Sequence, residues 1–379
     1  MILKSIQPFS LAIPFKAAFK HASAERAATQ TLLVKAHSRE GIVGYGEGCP
    51  REYVTGETIE SAHAFVLLHQ QDLFEKIQDI ATLNEWVGRH RKDIDANPSA
   101  WAALELAFLD LIGKTEHKSV EALLGLRGIS GKFRYTAVLG DAPHHQFEAQ
   151  LAHYLKAGFK DFKIKLSGDY KRDFDKVEAL TRMSISPKSV RADANNLWQD
   201  SGVAVSQLQL LGYSFFALEE PLPPGDYYGM LRIATEIRTK IILDESLLRE
   251  EQFAQLTSTS DQWIINLRVS KMGGVLRSLE VVRKARELGM RINIGAHVGE
   301  TSILTRAALT VASNAQDILV GQEGAFGTHL LAYDVTDMPI MFGAGGLLDA
   351  STLDADAAGF GVNISETVLE SNVSNIRSS

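Results

Sequence analysis

Charged side chains recur at the ends of short apolar runs through residues 163 to 323, and their types suggest catalysis. Lys163 and Lys165 come first. Six single residues follow at intervals of 24 to 29 residues, namely Asp193, Glu219, Asp244, Arg268, His297 and Glu323. Three carboxylates could bind a cation, while the lysines and the histidine could move protons.

The three acidic residues Asp193, Glu219 and Asp244 share the same inward parity at the ends of three successive predicted strands. Neighbouring carboxylates repel each other unless a cation lies between them. Ligation by carboxylate oxygens alone suits Mg²⁺, with Mn²⁺ as the second choice, rather than zinc. A solvated or lysine-paired carboxylate is the usual interpretation of one such acid, but three at near-equal spacing favour a metal site.

Lys163 and Lys165 lie two residues apart and therefore point to the same side of a strand. A buried lysine beside another cation has a lowered pKa and can act as a base near neutral pH. The alternative is a pair of surface lysines that form outward ion pairs. Phe162, Ile164 and Leu166 flank the lysines and favour the inward, functional interpretation.

The repeat of one short strand and one helical stretch predicts a (β/α) barrel, in which the C-terminal strand ends meet at one mouth. Eight strands are expected, the first at residues 135–139 and the last ending at Glu323. The barrel is predicted to span residues 126–345. Residues 346–379 contain glycine-rich turns without another βα unit, and we expect them to pack back on the N-terminal domain.

Residues 1–125 are predicted to form a separate α+β domain. Three alternating segments near the N-terminus predict antiparallel strands, while residues 14–28 lack a clear period and predict a loop. A second loop ends at Thr55 or Thr58, either of which could cap the helix that follows. Helices are expected from there to residue 126, with the segment SAWAALELAFLDLIGK almost buried all round.

The composition excludes several classes of protein. A net charge of −7 and the lack of a Lys/Arg block argue against nucleic-acid binding. A single cysteine, Cys49, excludes a disulfide framework and a cysteine zinc site, and is typical of a reducing compartment. No signal-peptide pattern and no apolar run of membrane-spanning length occur, so we expect a cytoplasmic protein that binds no membrane.

The ordered motifs KIK, DAN, EEP, DES and KMGG resemble those of the enolase superfamily, in particular its mandelate racemase and muconate-lactonizing branch. The N-terminal segments GYGEGCPREYVTGET and AALELAFLDLIGK resemble the capping domain of that family. The resemblance implies a modified (β/α)₇β barrel with an α+β cap. It also implies a shared step, in which Mg²⁺ binds the substrate carboxylate and stabilises the enediolate that forms when a base removes the α-proton.

The resemblance also assigns roles to individual residues. Asp193, Glu219 and Asp244 match the metal ligands, Lys165 the base on strand two, and Lys163 the partner that holds the substrate carboxylate and lowers the pKa of Lys165. His297 and Glu323 match residues of the mandelate racemases. Arg268, in contrast, stands where muconate-lactonizing relatives have a lysine and racemases have an aspartate.

Several further residues have less certain roles. Lys271 follows Arg268 by three residues, so strand parity predicts that it faces away from the mouth and contacts the Gly-Gly turn. Glu300 could orient His297 or bind a loop. We expect substrate contacts from five residues, with Lys16 and Lys20 as further loop candidates: Asn195, Glu323, His21, Arg51 and Tyr53.

Three functions stay open at this point. The leading prediction is an isomerase of a small carboxylate substrate, either a racemase, an epimerase or a cycloisomerase, acting as a homo-oligomer. The alternatives are a dehydratase in which His297 expels hydroxide, and a non-catalytic binding protein. Retention of all three acids and both lysines disfavours the last. Strand eight reads GQEGAFG and lacks the Asp-x-Asp pair of dipeptide epimerases.

Overall fold

The computed structural model describes residues 2–21, 24–354 and 356–374, except for the side chains of residues 17–26 and 370–374. An antiparallel sheet forms the centre of the N-terminal part, with its strands in the order β16 (Val373–Ser374), β1 (Leu3–Leu11), β4 (Thr31–Ser38) and β5 (Val43–Gly48). Its strands include three of the five that begin the chain, which are β1 (Leu3–Leu11), β2 (Pro14–His21), β3 (Ala24–Ala28), β4 (Thr31–Ser38) and β5 (Val43–Gly48).

The loop predicted at residues 14–28 is wrong, because β2 and β3 form a separate two-stranded hairpin there. Apolar and polar residues alternate only weakly in the sequence of this segment, so pairing between the backbones defines the two strands. Part of that pairing is made with a distant segment, since Phe15 forms an isolated antiparallel bridge with Leu331. Such a contact leaves no local pattern in the sequence.

Helix α5 (Pro98–Glu116) lies on the central sheet, and three glycines of β5 allow the helix to approach the sheet closely. A Cβ added at Gly44, Gly46 or Gly48 would lie only 1.9–2.2 Å from a backbone oxygen of α5. The spacing of the glycines by two places all three on one face of the strand. The helices of this part are α1 (Glu52–Thr55), α2 (Ile59–Lys76), α3 (Ile80–Arg89), α4 (Arg91–Ala96), α5 (Pro98–Glu116) and α6 (Val120–Leu123).

Helix α2 begins at the second of the two predicted caps. The Thr58 hydroxyl accepts a hydrogen bond from the Ser61 N–H, and the Ser61 hydroxyl in turn accepts one from the Thr58 N–H. This reciprocal arrangement satisfies backbone donors that the first turn of a helix cannot satisfy itself.

An eight-stranded parallel sheet forms the barrel, as predicted. It runs from β7 (Ala137–Leu139) to β14 (Leu319–Gln322), and strands that follow each other in the chain are neighbours in the sheet. The first and last strands meet where the Thr136 N–H donates to the Gln322 carbonyl over 2.8 Å. The strands are β7 (Ala137–Leu139), β8 (Phe162–Lys165), β9 (Val190–Asp193), β10 (Ala217–Glu219), β11 (Lys240–Leu243), β12 (Trp263–Leu267), β13 (Arg291–Ile294) and β14 (Leu319–Gln322).

The connections give the predicted (β/α)₇β form, because no βα unit follows β14 within residues 323–354 and 356–374. After β11 the connection contains 3₁₀ helices at Glu250–Gln255 and Thr257–Gln262 in place of an α-helix. The barrel helices are α7 (His144–Lys156), α8 (Tyr170–Arg182), α9 (Ser201–Leu211), α10 (Tyr227–Ile237), α11 (Val269–Met272), α12 (Val275–Glu287) and α13 (Ser302–Ser313).

The residues after the barrel contact both parts of the chain. Strand β15 (Leu347–Asp349) pairs with β6 (Lys132–Arg134), which precedes the barrel. Helix α14 (Glu366–Asn372) and β16 (Val373–Ser374) return to the N-terminal sheet, where β16 pairs with β1. The domain boundaries at 125 and 345 stay a prediction.

Side chains inside the barrel change from apolar to polar along the strands. Ala217, Ile242 and Ile264 form a small, fully buried apolar cluster. Two residues further on, with the same inward parity, the strands or their ends carry Glu219, Asp244 and Asn266. The apolar cluster therefore closes one end of the barrel, and the polar layer lies towards the C-terminal ends of the strands.

No helix among residues 2–21, 24–354 and 356–374 combines the length and apolar character needed to cross a membrane.

Candidate active site

Lys163 lies at the centre of a cluster of carboxylates inside the barrel. Its Nζ is 2.7 Å from Glu219 Oε2, 3.1 Å from Glu323 Oε2 and 3.4 Å from Asp193 Oδ2. Burial alone would lower the pKa of Lys163, but these three carboxylates raise it well above its usual value. Lys163 is therefore a permanent cation, and of the two lysines it is the poorer proton acceptor.

Lys165 lies two residues further along β8, closer to the mouth, and its surroundings lower its pKa, whereas those of Lys163 raise it. Its Nζ donates to Asn195 Oδ1 over 2.7 Å. Burial lowers its pKa; Asp193 opposes this effect, whereas the Lys163 and Arg268 cations add to it. Of the two lysines, only Lys165 can readily give up its proton, which is the property that a base requires.

Asp244 is held by two cations from the connection that follows β12. Arg268 Nη2 makes a short ion pair with Asp244 Oδ2, and Lys271 Nζ lies 2.8 Å from Oδ1. Lys271 also donates to the Asp244 and Asn266 carbonyls, each over 2.7 Å, and is fully buried.

The prediction that Lys271 faces away from the mouth is wrong. Strand β12 ends at Leu267, and residues 269–272 form the helical turn α11. Strand parity does not apply within this turn, which brings the lysine back onto Asp244. The Gly-Gly pair at 273 and 274 ends the turn, with Gly273 in the left-handed region at φ 81°.

Arg268 is a buried cation beside several acids. Burial would lower its pKa, but Asp244, Glu245 and Glu219 raise it above the usual value for a guanidinium. Its Nη2 is 3.9 Å from Glu219 Oε1. Arg268 therefore stays protonated and cannot serve as a proton acceptor.

Two residues that position the acids were not identified from the sequence. Asn266 Nδ2 donates to Glu219 Oε1 over 3.0 Å. Glu220 accepts hydrogen bonds from the Asp244 N–H over 2.6 Å and from the Ser246 N–H over 2.7 Å, so it links the ends of β10 and β11. The second glutamate of the EEP motif was the only available signal for Glu220.

The chemistry of Asp193, Glu219 and Asp244 fits a hard divalent cation, since all three are buried and offer only oxygen atoms. Glu219 Oε2 accepts no hydrogen bond of good geometry and has only the ion pair with Lys163. Within the described part of the chain, no three His, Cys, Asp or Glu side chains are arranged to hold a metal as they stand. Lys163 and Arg268 lie among the carboxylates instead, so binding would exchange these ion pairs for metal–oxygen bonds.

His297 lies on a tight turn three residues beyond the end of β13. Gly295, just after that strand, donates its N–H to the Leu267 carbonyl over 2.8 Å, which places the strand end beside that of Arg268. The His297 side chain is buried, and its Nδ1 is 3.7 Å from Glu300 Oε1.

The second cap loop places Arg51 against backbone carbonyls of the cap and of the barrel. The Arg51 guanidinium is buried and donates to the Gln30, Pro50 and Val298 carbonyls over 2.7–2.8 Å. It therefore holds the backbone, and its contact with substrate stays a prediction. Tyr53 lies on α1, is partly exposed and is close enough to Arg268 to affect its pKa.

The three remaining loop candidates, His21, Lys20 and Lys16, lie on β2. The side chains of His21 and Lys20 fall outside those that the structure describes. Lys16 Nζ makes a short hydrogen bond to the Thr328 carbonyl, which links β2 to the loop after β14. Asn195 and Glu323, the remaining predicted substrate contacts, accept hydrogen bonds from Lys165 and Lys163, and their contact with substrate stays a prediction.

Two family models match most of the chain. Residues 5–125 match the mandelate racemase/muconate lactonizing enzyme N-terminal domain, and residues 146–368 match the enolase C-terminal domain-like family. Among sequence relatives, the N-succinyl-L-Arg/Lys racemase of Bacillus cereus is 26% identical over 321 residues, covering 82% of this chain and 84% of the relative.

Solved structures agree with the family models. A dipeptide epimerase from Enterococcus faecalis, complexed with Mg and the dipeptide L-Leu-L-Tyr, is 26% identical with a TM-score of 0.81, covering 96% of this chain and 100% of that one. A muconate lactonizing enzyme from Pseudomonas fluorescens superimposes with a TM-score of 0.85 at 24% identity over 98% of this chain and 99% of that one. The second similarity concerns the fold alone.

Proposed function

Since the chain belongs to the mandelate racemase/muconate lactonizing enzyme family of the enolase superfamily, we propose that it is an isomerase that removes the α-proton of a small carboxylate substrate. One observation carries the proposal. Lys165, whose pKa is lowered, lies beside the permanent cation Lys163 and three buried carboxylates at one end of the barrel. A base, fixed positive charge and potential metal ligands are thus combined in one small space.

Lys165 is the proposed base. Its neutral amine would take the α-proton, and the Asn195 side-chain oxygen, which already accepts from Nζ, would hold the resulting ammonium in place. Lys163 would stay charged throughout, because three carboxylates surround it, and would favour the carboxylate end of the substrate.

Asp193, Glu219 and Asp244 would hold Mg²⁺ or Mn²⁺. When bound, the ion supplies positive charge that stabilises the negative charge developing on the substrate carboxylate. Lys271 and Glu220 would keep Asp244 oriented, the lysine through the carboxylate and the glutamate through the backbone N–H.

Arg268 limits the reactions that are possible. A permanently charged guanidinium cannot accept a proton, so Arg268 cannot replace the second lysine of a two-lysine racemase. We assign it instead the role of binding the developing anion or a distal carboxylate of the substrate. A second base, where the reaction needs one, would be His297 on the opposite face.

The relatives set the range of substrates to test. The matched proteins include a racemase of N-succinylated amino acids, a dipeptide epimerase and a muconate lactonizing enzyme. We therefore place N-acyl amino acids first among the candidates, because Glu323 is paired with Lys163 and strand eight offers no Asp-x-Asp pair for a free ammonium group.

A dehydratase is the second candidate, and Arg268 is the observation that favours it. With no second lysine, Lys165 could remove the α-proton while His297 protonates a departing hydroxide, which yields an unsaturated acid and water. The first step is the same, but the product differs by the loss of one water molecule.

Deuterium exchange tests the proposal. N-acyl amino acids, dipeptides, hydroxy acids, acid sugars and betaines are incubated with the protein and Mg²⁺ in D₂O, and the α-proton is followed by NMR. We expect loss of the α-proton signal with retention of mass, apart from deuterium, for at least one class. A product lighter by one water would identify the dehydratase, and no exchange by folded, Mg²⁺-bound protein would contradict both.

A further inference from the structure

The turn that carries His297 is closed by two reciprocal hydrogen bonds between its first and last residues. The Glu300 N–H donates to the His297 carbonyl over 3.2 Å, and the His297 N–H donates to Glu300 Oε1 over 2.6 Å. Gly299 has φ 93°, the left-handed conformation that the third position of such a turn requires. The carboxylate of Glu300 therefore has a fixed position relative to the backbone of His297.

The same carboxylate oxygen lies near the imidazole ring. Glu300 Oε1 is 3.7 Å from His297 Nδ1, and the two side chains are 8% and 0% exposed. This separation is longer than a hydrogen bond, but catalytic hydrogen bonds are often long before substrate binds. A buried carboxyl oxygen that acts as an acceptor beside Nδ1 favours the ring tautomer with the proton on Nδ1.

The cap holds the turn from outside. Arg51 Nη2 donates to the Val298 carbonyl over 2.7 Å. Glu47 accepts from the Thr301 N–H over 3.0 Å and from the Thr301 hydroxyl over 2.7 Å. These two cap residues restrict movement of the turn, so the Glu300 carboxylate cannot easily shift away from the ring.

We propose that Glu300 is the positioning residue of His297. It would keep the proton of the neutral imidazole on Nδ1, so that the Nε2 lone pair is available to accept or return the proton of the substrate. This inference rests on the proposed function, in which His297 is the second base. Racemases of this family have an aspartate at the position of Arg268 on strand six. In this chain Glu300 would supply the carboxyl partner of His297 instead.

The groups around Glu300 define its protonation. Burial raises the pKa of Glu300 to about 8, the His297 N–H hydrogen bond and the Arg268 and Arg51 cations lower it, and Glu47 raises it. Near neutral pH Glu300 is therefore largely protonated, and with that proton on Oε2 its Oε1, which accepts the His297 N–H, can also accept from a protonated Nδ1.

Glu300→Gln keeps a side-chain oxygen that can accept from the His297 N–H and from Nδ1, whereas Glu300→Leu removes that acceptor. Histidine is labelled with ¹⁵N, the ring signals of His297 are assigned from their absence in His297→Asn, and the neutral ring is observed by NMR. We expect the ring to stay protonated at Nδ1 in Glu300→Gln and to lose that preference in Glu300→Leu. Glu57→Leu is the matched control, since Glu57 is another buried carboxyl group that accepts the Ser99 and Ala100 N–H groups within the cap.

A second measurement needs no variant of Glu300. In the wild-type protein above neutral pH, the ¹⁵N shifts should show the His297 ring protonated at Nδ1. A ring protonated at Nε2 in wild type, or an unchanged tautomer in Glu300→Leu, would overturn the proposal.

Both measurements are made without substrate, so they succeed or fail independently of the reaction. If the NMR results hold but no carboxylate exchanges its α-proton, the proposed function fails while the contact between Glu300 and His297 stands. If exchange occurs and the NMR results fail, His297 is positioned by other groups.

Discussion

Replacing Lys271 by methionine should destabilise the protein more than almost any other lysine substitution. Methionine has nearly the same length but carries no charge and donates no hydrogen bond. The substitution would leave the Asp244 carboxylate without one of its two cations and would remove a donor from the Asp244 and Asn266 carbonyls. All three acceptors belong to buried residues, so water cannot easily replace the ammonium group.

The size of the effect follows from these contacts. Leaving one buried acceptor unsatisfied costs about 1–3 kcal/mol, and removing one partner of a buried ion pair costs about 3–5 kcal/mol. Arg268 still neutralises Asp244 in the variant, which limits the cost of the charge. We therefore expect Lys271→Met to lower the free energy of unfolding by about 3–5 kcal/mol.

Urea unfolding followed by tryptophan fluorescence measures this difference, with Trp263 on the strand that leads to Lys271 as one reporter. Lys118→Met is the matched control, because Lys118 also pairs with a carboxylate, Glu116 at 2.9 Å, but is 53% exposed. The control should change the free energy of unfolding by less than about 1 kcal/mol. A loss in Lys271→Met no larger than that of the control would refute the reasoning.

The remaining predictions concern the metal, pH and the second base. Asp193→Asn and Asp244→Asn should each weaken Mg²⁺ binding by about tenfold or more in calorimetric titration, because one of three charged ligands is lost; unchanged affinity in both would exclude the site. Burial raises the pKa of Glu47 to about 7 from the usual 4.5, so its stabilising contribution is complete below pH 4.5 and is lost as the pH rises through 7. Glu47→Gln should remove about 3 kcal/mol of this pH dependence, and an unaltered profile of unfolding free energy against pH would contradict it. His297→Asn should still exchange the α-proton of one substrate enantiomer in D₂O but not of the other, whereas equal exchange of both would show that His297 is not the second base.

The sequence was sufficient to predict the barrel because its repeats are regular. A charged or titratable residue at or just beyond the end of the second to eighth strands marks both the period and the C-terminal face, and strand parity correctly places Lys163 and Lys165 on the same inward side. The glycines at 44, 46 and 48 similarly record the approach of α5 to the sheet. Each of these features depends on local periodicity, which one sequence displays directly.

Features that depend on non-local contacts were not predictable. Lys271 reaches Asp244 only because the chain turns into a helix after Leu267, and strand parity has no meaning there. Whether a lysine pKa rises or falls depends on neighbours from other strands, such as Glu323 beside Lys163. Arg51 binds Val298, 247 residues away in the chain, a pairing that only the assembled cap and barrel define.

The most direct test of the account is deuterium incorporation by wild type and Lys165→Ala at saturating Mg²⁺, using a substrate found in the exchange screen. The account predicts that Lys165→Ala binds Mg²⁺ as wild type does but exchanges the α-proton about 10²–10⁴ times more slowly, because the base is gone while Asp193, Glu219 and Asp244 remain. The substrate enantiomer whose proton faces Lys165 should be the one affected. Exchange of both enantiomers at the wild-type rate in Lys165→Ala would contradict the central claim.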